Sequence, residues 1–160
     1  LDLVVYSRSK NHILRFIEYM DVGTLNSWSK ENVFSTKNIK EIISKKYKIK
    51  PIDKNYPSET SDRYSFLDGK GEIGFISSIT NPFCDNCTRA RITADGKLVT
   101  CLFSNKGMNL KSLLRSRKTD QDIIDEIIKV WALRDDKYSL DRSSMKSEIK
   151  NKIEMFQTGG

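Results

Sequence analysis

The sequence is short of the residues from which proteins commonly build metal or catalytic centres. Its 160 residues include three cysteines and a single histidine, His12. No apolar run approaches the roughly 20 residues that a membrane-spanning helix needs, and no signal-peptide pattern, repeat or low-complexity tract is present. We therefore expect a cytoplasmic globular protein with no membrane partner.

The cysteine count excludes a closed set of internal disulfides, because three is an odd number. Such a count is typical of a reducing compartment and indicates metal or redox chemistry. The charge balance, 28 Lys and Arg against 21 Asp and Glu, favours an anionic partner. Because the lysines are scattered and no aromatic residues are interleaved with them, a solvated surface is the simpler interpretation, and we expect no nucleic-acid partner.

Hydrophobic periodicity predicts a chain of mixed helices and strands. Residues 3–11 resemble the end of an amphipathic helix, and the apolar run 13–20 that follows fits a buried parallel strand of an α/β architecture. Residues 36–48 predict a helix capped by Ser35 or Thr36. The later elements are two β-hairpins and two helices: 64–80 around Asp68-Gly69, 88–103 around Asp95-Gly96, 110–115 and 120–133.

Cys84, Cys87 and Cys101 form the clearest candidate site. Two thiolates in CxxC spacing can face one metal, and the second predicted hairpin returns Cys101 toward them. Three interpretations stay open on spacing alone: a 4Fe–4S cluster with one iron open to a non-protein ligand, a zinc site that needs a fourth ligand, or a purely structural role. A redox CxxC fits less well, because it usually opens a helix and this one precedes a strand.

The register of the second hairpin decides which side chains lie beside Cys101. A simple two-residue turn puts Cys101 on the face away from Arg89 and Arg91. A bulge at Gly96 shifts the pairing by one residue and brings all three side chains to one face. We expect the bulge. Two guanidinium groups on one face could then bind one anion, although two arginines on a solvated strand would show the same pattern.

The segment from Gly74 through Cys87 to Arg91, continued by Asp95-Gly96-Lys97 and Cys101-Leu102-Phe103, resembles the GTP 3',8-cyclase family. Members of that family are radical S-adenosylmethionine enzymes that open molybdenum cofactor biosynthesis. The run 15–23, RFIEYMDVG, resembles a second signature of the family, and Gly159-Gly160 resembles its double-glycine tail. The resemblance spans nearly the whole chain.

The resemblance implies a lyase that converts GTP to (8S)-3',8-cyclo-7,8-dihydroguanosine 5'-triphosphate, with a homodimer as a candidate assembly. In the family, a 5'-deoxyadenosyl radical abstracts hydrogen from the GTP ribose, and guanine binds the open iron of a substrate-side cluster. The residues implied are the cluster ligands Cys84, Cys87 and Cys101; the GTP contacts Arg89, Ala90 and Arg91; the S-adenosylmethionine contact Met20; and the catalytic residues Arg15, Gly159 and Gly160. Taken alone, Met20 fits a core position and the glycines fit a frayed end.

One departure from the family concerns a second 4Fe–4S cluster, which starts the radical and is bound by a CxxxCxxC motif. That motif is absent from this sequence. We therefore expect the C-terminal portion of a longer enzyme, inactive alone. Residues 1–30 would be the last helix and strand of an incomplete radical S-adenosylmethionine (TIM-like) barrel, and 31–160 an α+β domain that binds the substrate-side cluster and GTP. The alternative is a stand-alone zinc or iron–sulfur module that binds nucleotide or RNA.

Overall fold

The computed structural model describes residues 1–104, 106–142 and 153–158 of the chain. The helices are α1 (Asp2–Ser9), α2 (Thr36–Ser44), α3 (Leu110–Leu114), α4 (Asp120–Ala132) and α5 (Tyr138–Asp141). The strands are β1 (Leu14–Ile17), β2 (Ile49–Ile52), β3 (Asp62–Phe66), β4 (Glu72–Ile76), β5 (Arg91–Ile92), β6 (Lys97–Val99) and β7 (Met108–Asn109). Short 3₁₀ turns lie at Lys30–Asn32, Cys84–Asn86 and Met155–Thr158. The fold is therefore mixed, with two sheets.

The chain divides into two compact units. The first unit contains Leu1–Met20 and Ser29–Asn86, and the second contains Asp21–Trp28 and Cys87–Gly160. The sequence predicted a different kind of boundary, at residue 30, between the edge of a barrel and a binding domain. The two compact units do not test that functional boundary, which stays a prediction. Among the described residues, no helix is both long and apolar enough to cross a bilayer.

The first unit is built on a four-stranded sheet in the order β1-β4-β3-β2. β1 pairs in parallel with β4, and the predicted hairpin joins β3 to β4 in antiparallel register. The apolar face of the sheet packs against α1 and α2. The core cluster consists of buried residues from both helices and two strands: Val4, Ile43, Phe66, Ile73 and Phe75.

Two predicted elements of the first unit differ from the prediction, and the strand β2 was not predicted. β1 is parallel as predicted, but it is not fully buried: it lies at an edge of the sheet, so Arg15 and Ile17 are exposed while Leu14 and Phe16 pack on the core. The predicted helix 36–48 ends four residues early, because β2 begins at residue 49 and the chain needs a turn before it. The Ser35 hydroxyl caps α2 by accepting a hydrogen bond from the Asn38 N–H.

The second unit contains a three-stranded sheet in the order β5-β6-β7, followed by α3, α4 and α5. A capping box starts α4: the Thr119 hydroxyl accepts a bond from the Asp122 N–H, and the Asp122 carboxylate accepts one from the Thr119 N–H. The segment Asp21–Trp28 packs within this unit through Asp21, whose buried carboxylate accepts hydrogen bonds from Tyr138 and Arg142. β7 and α5 were not predicted from the sequence.

Candidate functional site

The β5–β6 hairpin has the shifted register that we predicted. Arg91 pairs with Val99, and the N–H of Thr93 donates to the carbonyl oxygen of Lys97 at 2.9 Å. Three residues therefore form the loop, and Gly96 in it adopts a φ of +84°, a left-handed conformation that suits glycine. A simple two-residue turn is excluded for this hairpin.

The ladder ends at the pair of Arg91 with Val99, and Arg89 and Cys101 lie two residues beyond it. The charge of Cys101 still acts on the Arg91 guanidinium, so these two groups are near each other. A single face shared by Arg89, Arg91 and Cys101 stays a prediction. Cys87 lies beside Arg89, whose guanidinium is 3.4 Å from the Cys87 Sγ. In the second unit, Arg89 contacts Cys87, and Arg91 lies within electrostatic range of Cys87, Arg89 and Cys101.

The surroundings of Cys87 favour its thiolate form. Burial raises the pKa of the Cys87 thiol, but hydrogen bonds from the Arg89 backbone and guanidinium, the Arg89 charge and a hydrogen bond from Arg134 outweigh burial and lower it overall. Arg134 also donates to the Cys87 carbonyl oxygen at 2.5 Å, and its guanidinium lies 4.8 Å from the Trp131 ring centroid. Thiolates are the form in which cysteine binds metals.

Arg91 is a half-buried cation among these groups. Burial, followed by the charge of Arg89, lowers the pKa of its guanidinium, and the charges of Cys87 and Cys101 act in the opposite direction. Within the described residues, no carboxylate forms an ion pair with Arg91. Two neighbouring guanidinium groups form a favourable place for an anion.

The other predicted site residues lie elsewhere or outside the described residues. Arg15 is on β1 of the first unit, Met20 follows that strand, and Cys84 begins the turn Cys84–Asn86. Ala90 is exposed in the second unit beside the two arginines. The roles assigned to Gly159 and Gly160 concern residues beyond the described part of the chain and stay predictions.

The chemistry of the three cysteines fits an iron–sulfur cluster. All three are thiols outside any disulfide, and each is partly exposed. Within residues 1–104, 106–142 and 153–158, no group of three or more His, Cys, Asp or Glu side chains gathers closely enough to hold a metal ion. The fit therefore rests on donor type and on the lowered pKa of Cys87. The joint action of the three thiolates stays a prediction.

Sequence reasoning missed Glu18, which organises the approach to the cysteine segment. Its carboxylate is fully buried and accepts hydrogen bonds from the backbone N–H groups of Thr36, Ile79 and Thr80. Burial raises the pKa of Glu18, but the Thr80 hydroxyl and these three N–H groups outweigh burial and lower it. Glu18 thus joins the start of α2 to the segment leading to Cys84. The only sequence signal was a charge inside an apolar run.

Sequence reasoning also missed Glu59, the partner of Arg15. The buried Glu59 carboxylate lies 3.9 Å from the Arg15 guanidinium and accepts a hydrogen bond from the Asn55 N–H at 2.7 Å. The stem of Arg15 lies over Gly74, where a Cβ would come within 3.1 Å of Arg15 Cγ. No motif flagged Glu59, because it lies in a polar loop far from Arg15 in sequence.

Comparisons with known proteins give this arrangement a context. The model of the Molybdenum Cofactor Synthesis C family matches residues 12–140. The chain is 42% identical over 160 residues to the GTP 3',8-cyclase of Xanthomonas campestris pv. campestris (strain B100), covering all of this chain and 46% of that protein. It is 42% identical to the enzyme of that name from Aquifex aeolicus (strain VF5), covering 47% of it, and 37% identical to that from Staphylococcus haemolyticus (strain JCSC1435), covering 48%. The chain therefore spans about half the length of these relatives.

Proposed function

Because the chain belongs to the Molybdenum Cofactor Synthesis C family, we propose that it is the C-terminal part of a GTP 3',8-cyclase. The full-length relatives carry that name, and their match extends over this whole chain. In this proposal the chain provides the substrate side of the active site. The radical chemistry with S-adenosylmethionine belongs to the remaining half of the enzyme.

Cys84, Cys87 and Cys101 would hold the substrate-side 4Fe–4S cluster. When bound, such a cluster with three protein thiolates supplies one iron that is open to the guanine of GTP. The role of this chain is then to hold and orient the substrate, which is a contribution by positioning. The lowered pKa of Cys87 supports thiolate ligation at neutral pH.

One observation carries the proposal: the shifted register of the β5–β6 hairpin, which, if it continues past the pair of Arg91 with Val99, would assign Arg89, Arg91 and Cys101 to a single face. A cluster ligand and two cations on one face suit a substrate that has a purine at one end and phosphates at the other. Guanidinium groups bind phosphate through paired, charge-assisted hydrogen bonds. Arg91 is half-buried, so its bonds to phosphate would be weakly screened by solvent.

Arg15 and Met20 would serve the same reaction from the first unit. In the proposal, Arg15 is catalytic and Met20 lines the S-adenosylmethionine pocket. The pairing of Arg15 with buried Glu59 supports a defined position for its guanidinium. β1 would then be a strand of a barrel completed by the other half of the enzyme.

Metal analysis tests the cluster. After anaerobic reconstitution with iron and sulfide, the chain should contain about four irons and little zinc. Cys101→Ala should lose most of that iron, whereas Ser104→Ala, a matched change three residues away, should keep it. One zinc per chain, or iron unchanged in Cys101→Ala, would contradict the proposal.

Equilibrium binding tests the GTP contacts. In the reconstituted chain, Arg91→Ala should weaken GTP binding by about 10- to 100-fold, the range that corresponds to one hydrogen bond to a charged group. Arg115→Ala, which removes an exposed arginine of the same unit, provides the matched control and should change the dissociation constant little. Equal affinities in the two variants would exclude Arg91 from the GTP site.

A further inference from the structure

An ion pair lies in the link between α4 and α5. Arg134 Nε lies 3.8 Å from Asp136 Oδ2, and the exposed fractions of the two side chains are 11% and 26%. Both residues belong to the second unit. Because the pair is mostly buried, solvent and salt screen its charges only weakly. The two ends of the pair bind chain segments that are distant in sequence, and each segment contains a proposed cluster ligand.

The Arg134 end of the pair binds the main chain at Cys87. Arg134 Nη1 donates a hydrogen bond to the Cys87 carbonyl oxygen at 2.5 Å. The guanidinium also lies 4.8 Å from the centroid of the Trp131 ring, which is in the last turn of α4. The ring and the carbonyl oxygen therefore hold the cation in one place next to Cys87.

The Asp136 end of the pair binds the residue before Cys101. Asp136 Oδ2 accepts a hydrogen bond from the hydroxyl of Thr100, which directly follows β6. We refer to the ion pair, together with the Cys87 carbonyl and the Thr100 hydroxyl, as the Arg134–Asp136 bridge. The bridge connects the main chain at Cys87 with the side chain that precedes Cys101.

A simpler interpretation is that Arg134 serves only the end of α4. A cation near the C-terminus of a helix interacts favourably with the helix dipole. That role needs no partner from another part of the chain, yet Arg134 binds a carbonyl oxygen 47 residues away and Asp136 binds a hydroxyl 36 residues away. Each of these partners is at or next to a cysteine, so the cysteines explain the bridge better than the helix does.

We propose that Arg134 is a positioning residue for the cluster: the bridge holds Cys87 and Cys101 in place for a metal, and the charge of Arg134 raises the reduction potential of the bound cluster. This inference rests on the proposed function, in which both cysteines are ligands. Residues that hold metal ligands in orientation commonly contribute about 10- to 100-fold to metal affinity. Net charge near an iron–sulfur cluster tunes its potential, because a nearby cation stabilises the more negative, reduced form.

A dithiol reagent tests the positioning role without a cluster. In the metal-free Cys84→Ser chain, Cys87 and Cys101 are the only cysteines, and phenylarsine oxide binds thiols in neighbouring pairs. Arg134→Gln should weaken this binding by about tenfold or more, as expected for the loss of a residue that orients metal ligands. Arg115→Gln, at an exposed arginine of the same unit, is the matched control and should leave the binding unchanged. Equal binding in the two variants would overturn the positioning role.

A second variant tests whether the two ends act as one bridge. Thr100→Val removes the hydroxyl that donates to Asp136 and should weaken binding of the same reagent by about tenfold. Since both changes open the same bridge, the double variant of Arg134→Gln with Thr100→Val should bind no more weakly than the weaker of the two single variants. Effects that multiply in the double variant would show that the two residues act independently and would overturn the bridge.

Reduction potentials of the reconstituted chain test the role of the charge. Redox titration followed by electron paramagnetic resonance should give a lower potential for Arg134→Gln and a higher one for Asp136→Asn, because the two changes remove charges of opposite sign. Arg134→Lys keeps the charge and should stay near the wild-type potential. Shifts of the same sign, or no shifts, would overturn the tuning role. A chain that binds zinc instead of iron would overturn the proposed function and the tuning role with it, while phenylarsine oxide would still decide whether the bridge positions the two thiols.

Discussion

The two units of the chain are held together in different ways. The first unit has a continuous apolar core under its sheet, in which Ile73 and Phe75 are fully buried. Among the described residues, the buried apolar side chains of the second unit, Val22, Val99, Phe103 and Ile123, do not belong to that core cluster. The long-range contacts of the second unit include the ion pair of Asp21 with Arg142 and the hydrogen bond of Thr24 to Glu154. The first unit therefore has one continuous apolar core, to which buried charges such as Glu18 are added, whereas charged and polar pairs join distant segments of the second.

The distribution of the predicted site residues has a functional consequence, because any ligand that binds only the folded form adds to its stability. Cys87, Arg89, Arg91 and Cys101 lie in the second unit, whereas Cys84 lies near the end of the first. We therefore expect a bound cluster and GTP to stabilise the second unit more than the first, which provides one cluster ligand.

The largest effect is expected from removing the centre of the first core. Phe75 is fully buried and lies 5.5 Å from the Tyr64 ring, centroid to centroid, in an edge-to-face pair. Phe75→Ala should lower the free energy of unfolding of the first unit by about 3–5 kcal/mol. Leu67→Ala, at an exposed position in the same unit, is the control and should change it by less than about 0.5 kcal/mol. Denaturant titration measures both, and equal effects would refute the assigned core.

In the second unit, a large effect is expected from breaking the ion pair between Asp21 and Arg142. Asp21→Asn leaves Arg142 partly buried without its carboxylate, which should cost about 3 kcal/mol, near the lower limit for breaking a buried pair. Native-state hydrogen exchange should show the loss in α5 and the 21–28 segment, with the first core unaffected. Uniform loss of protection in both units would mean that they do not open separately.

Glu18 sharpens the comparison, because it is a buried charge inside the apolar unit. Glu18→Gln removes the charge and leaves N–H groups facing an amide, so we expect a cost of about 2–3 kcal/mol at neutral pH. Since folding lowers the pKa of Glu18, its contribution is present above its ordinary value of 4.5 and is lost as pH falls through the lower folded value. The difference between wild type and Glu18→Gln should therefore shrink in acid.

Urea titrations at a series of pH values measure that difference. Thr80→Val removes the hydroxyl that donates a hydrogen bond to Glu18 Oε1 at 2.6 Å. The difference in unfolding free energy between wild type and Thr80→Val should depend on pH with the same sign but a smaller size. A stability difference that is constant down to acid pH would show that Glu18 does not carry a buried charge.

The smallest effects are expected from a matched pair of helix caps, one in each unit. Ser35→Ala in the first unit and Thr119→Ala in the second should each cost about 1 kcal/mol. The loss at Thr119 should be the larger, because its hydroxyl both accepts a hydrogen bond from the Asp122 N–H and donates one to the Asp122 carboxylate. Peptide-level hydrogen exchange should place each loss in its own unit. If Ser35→Ala also speeds exchange in α4, the two units do not lose stability separately.

The sequence predicted local elements well and long-range polar contacts poorly. The β3–β4 hairpin, the start of α4 and the bulge at Gly96 follow from turn and cap residues that lie within a few positions of each other. Glu18 and Glu154 have partners 18 and 130 residues away, and Glu59 pairs with Arg15 from a different part of the chain. Single charges carry no periodic signal, so only the fold reveals which donors they meet. β7, two residues long, is too short for a pattern to predict.

The central claim, that Cys84, Cys87 and Cys101 hold a cluster that binds the guanine of GTP, is tested most directly by electron paramagnetic resonance. The measurement is the spectrum of the reduced, reconstituted chain with and without saturating nucleotide. We expect GTP to change the signal, ATP to change it little, and Cys101→Ala to lack the signal. A cluster spectrum that is identical with and without bound GTP would contradict the account.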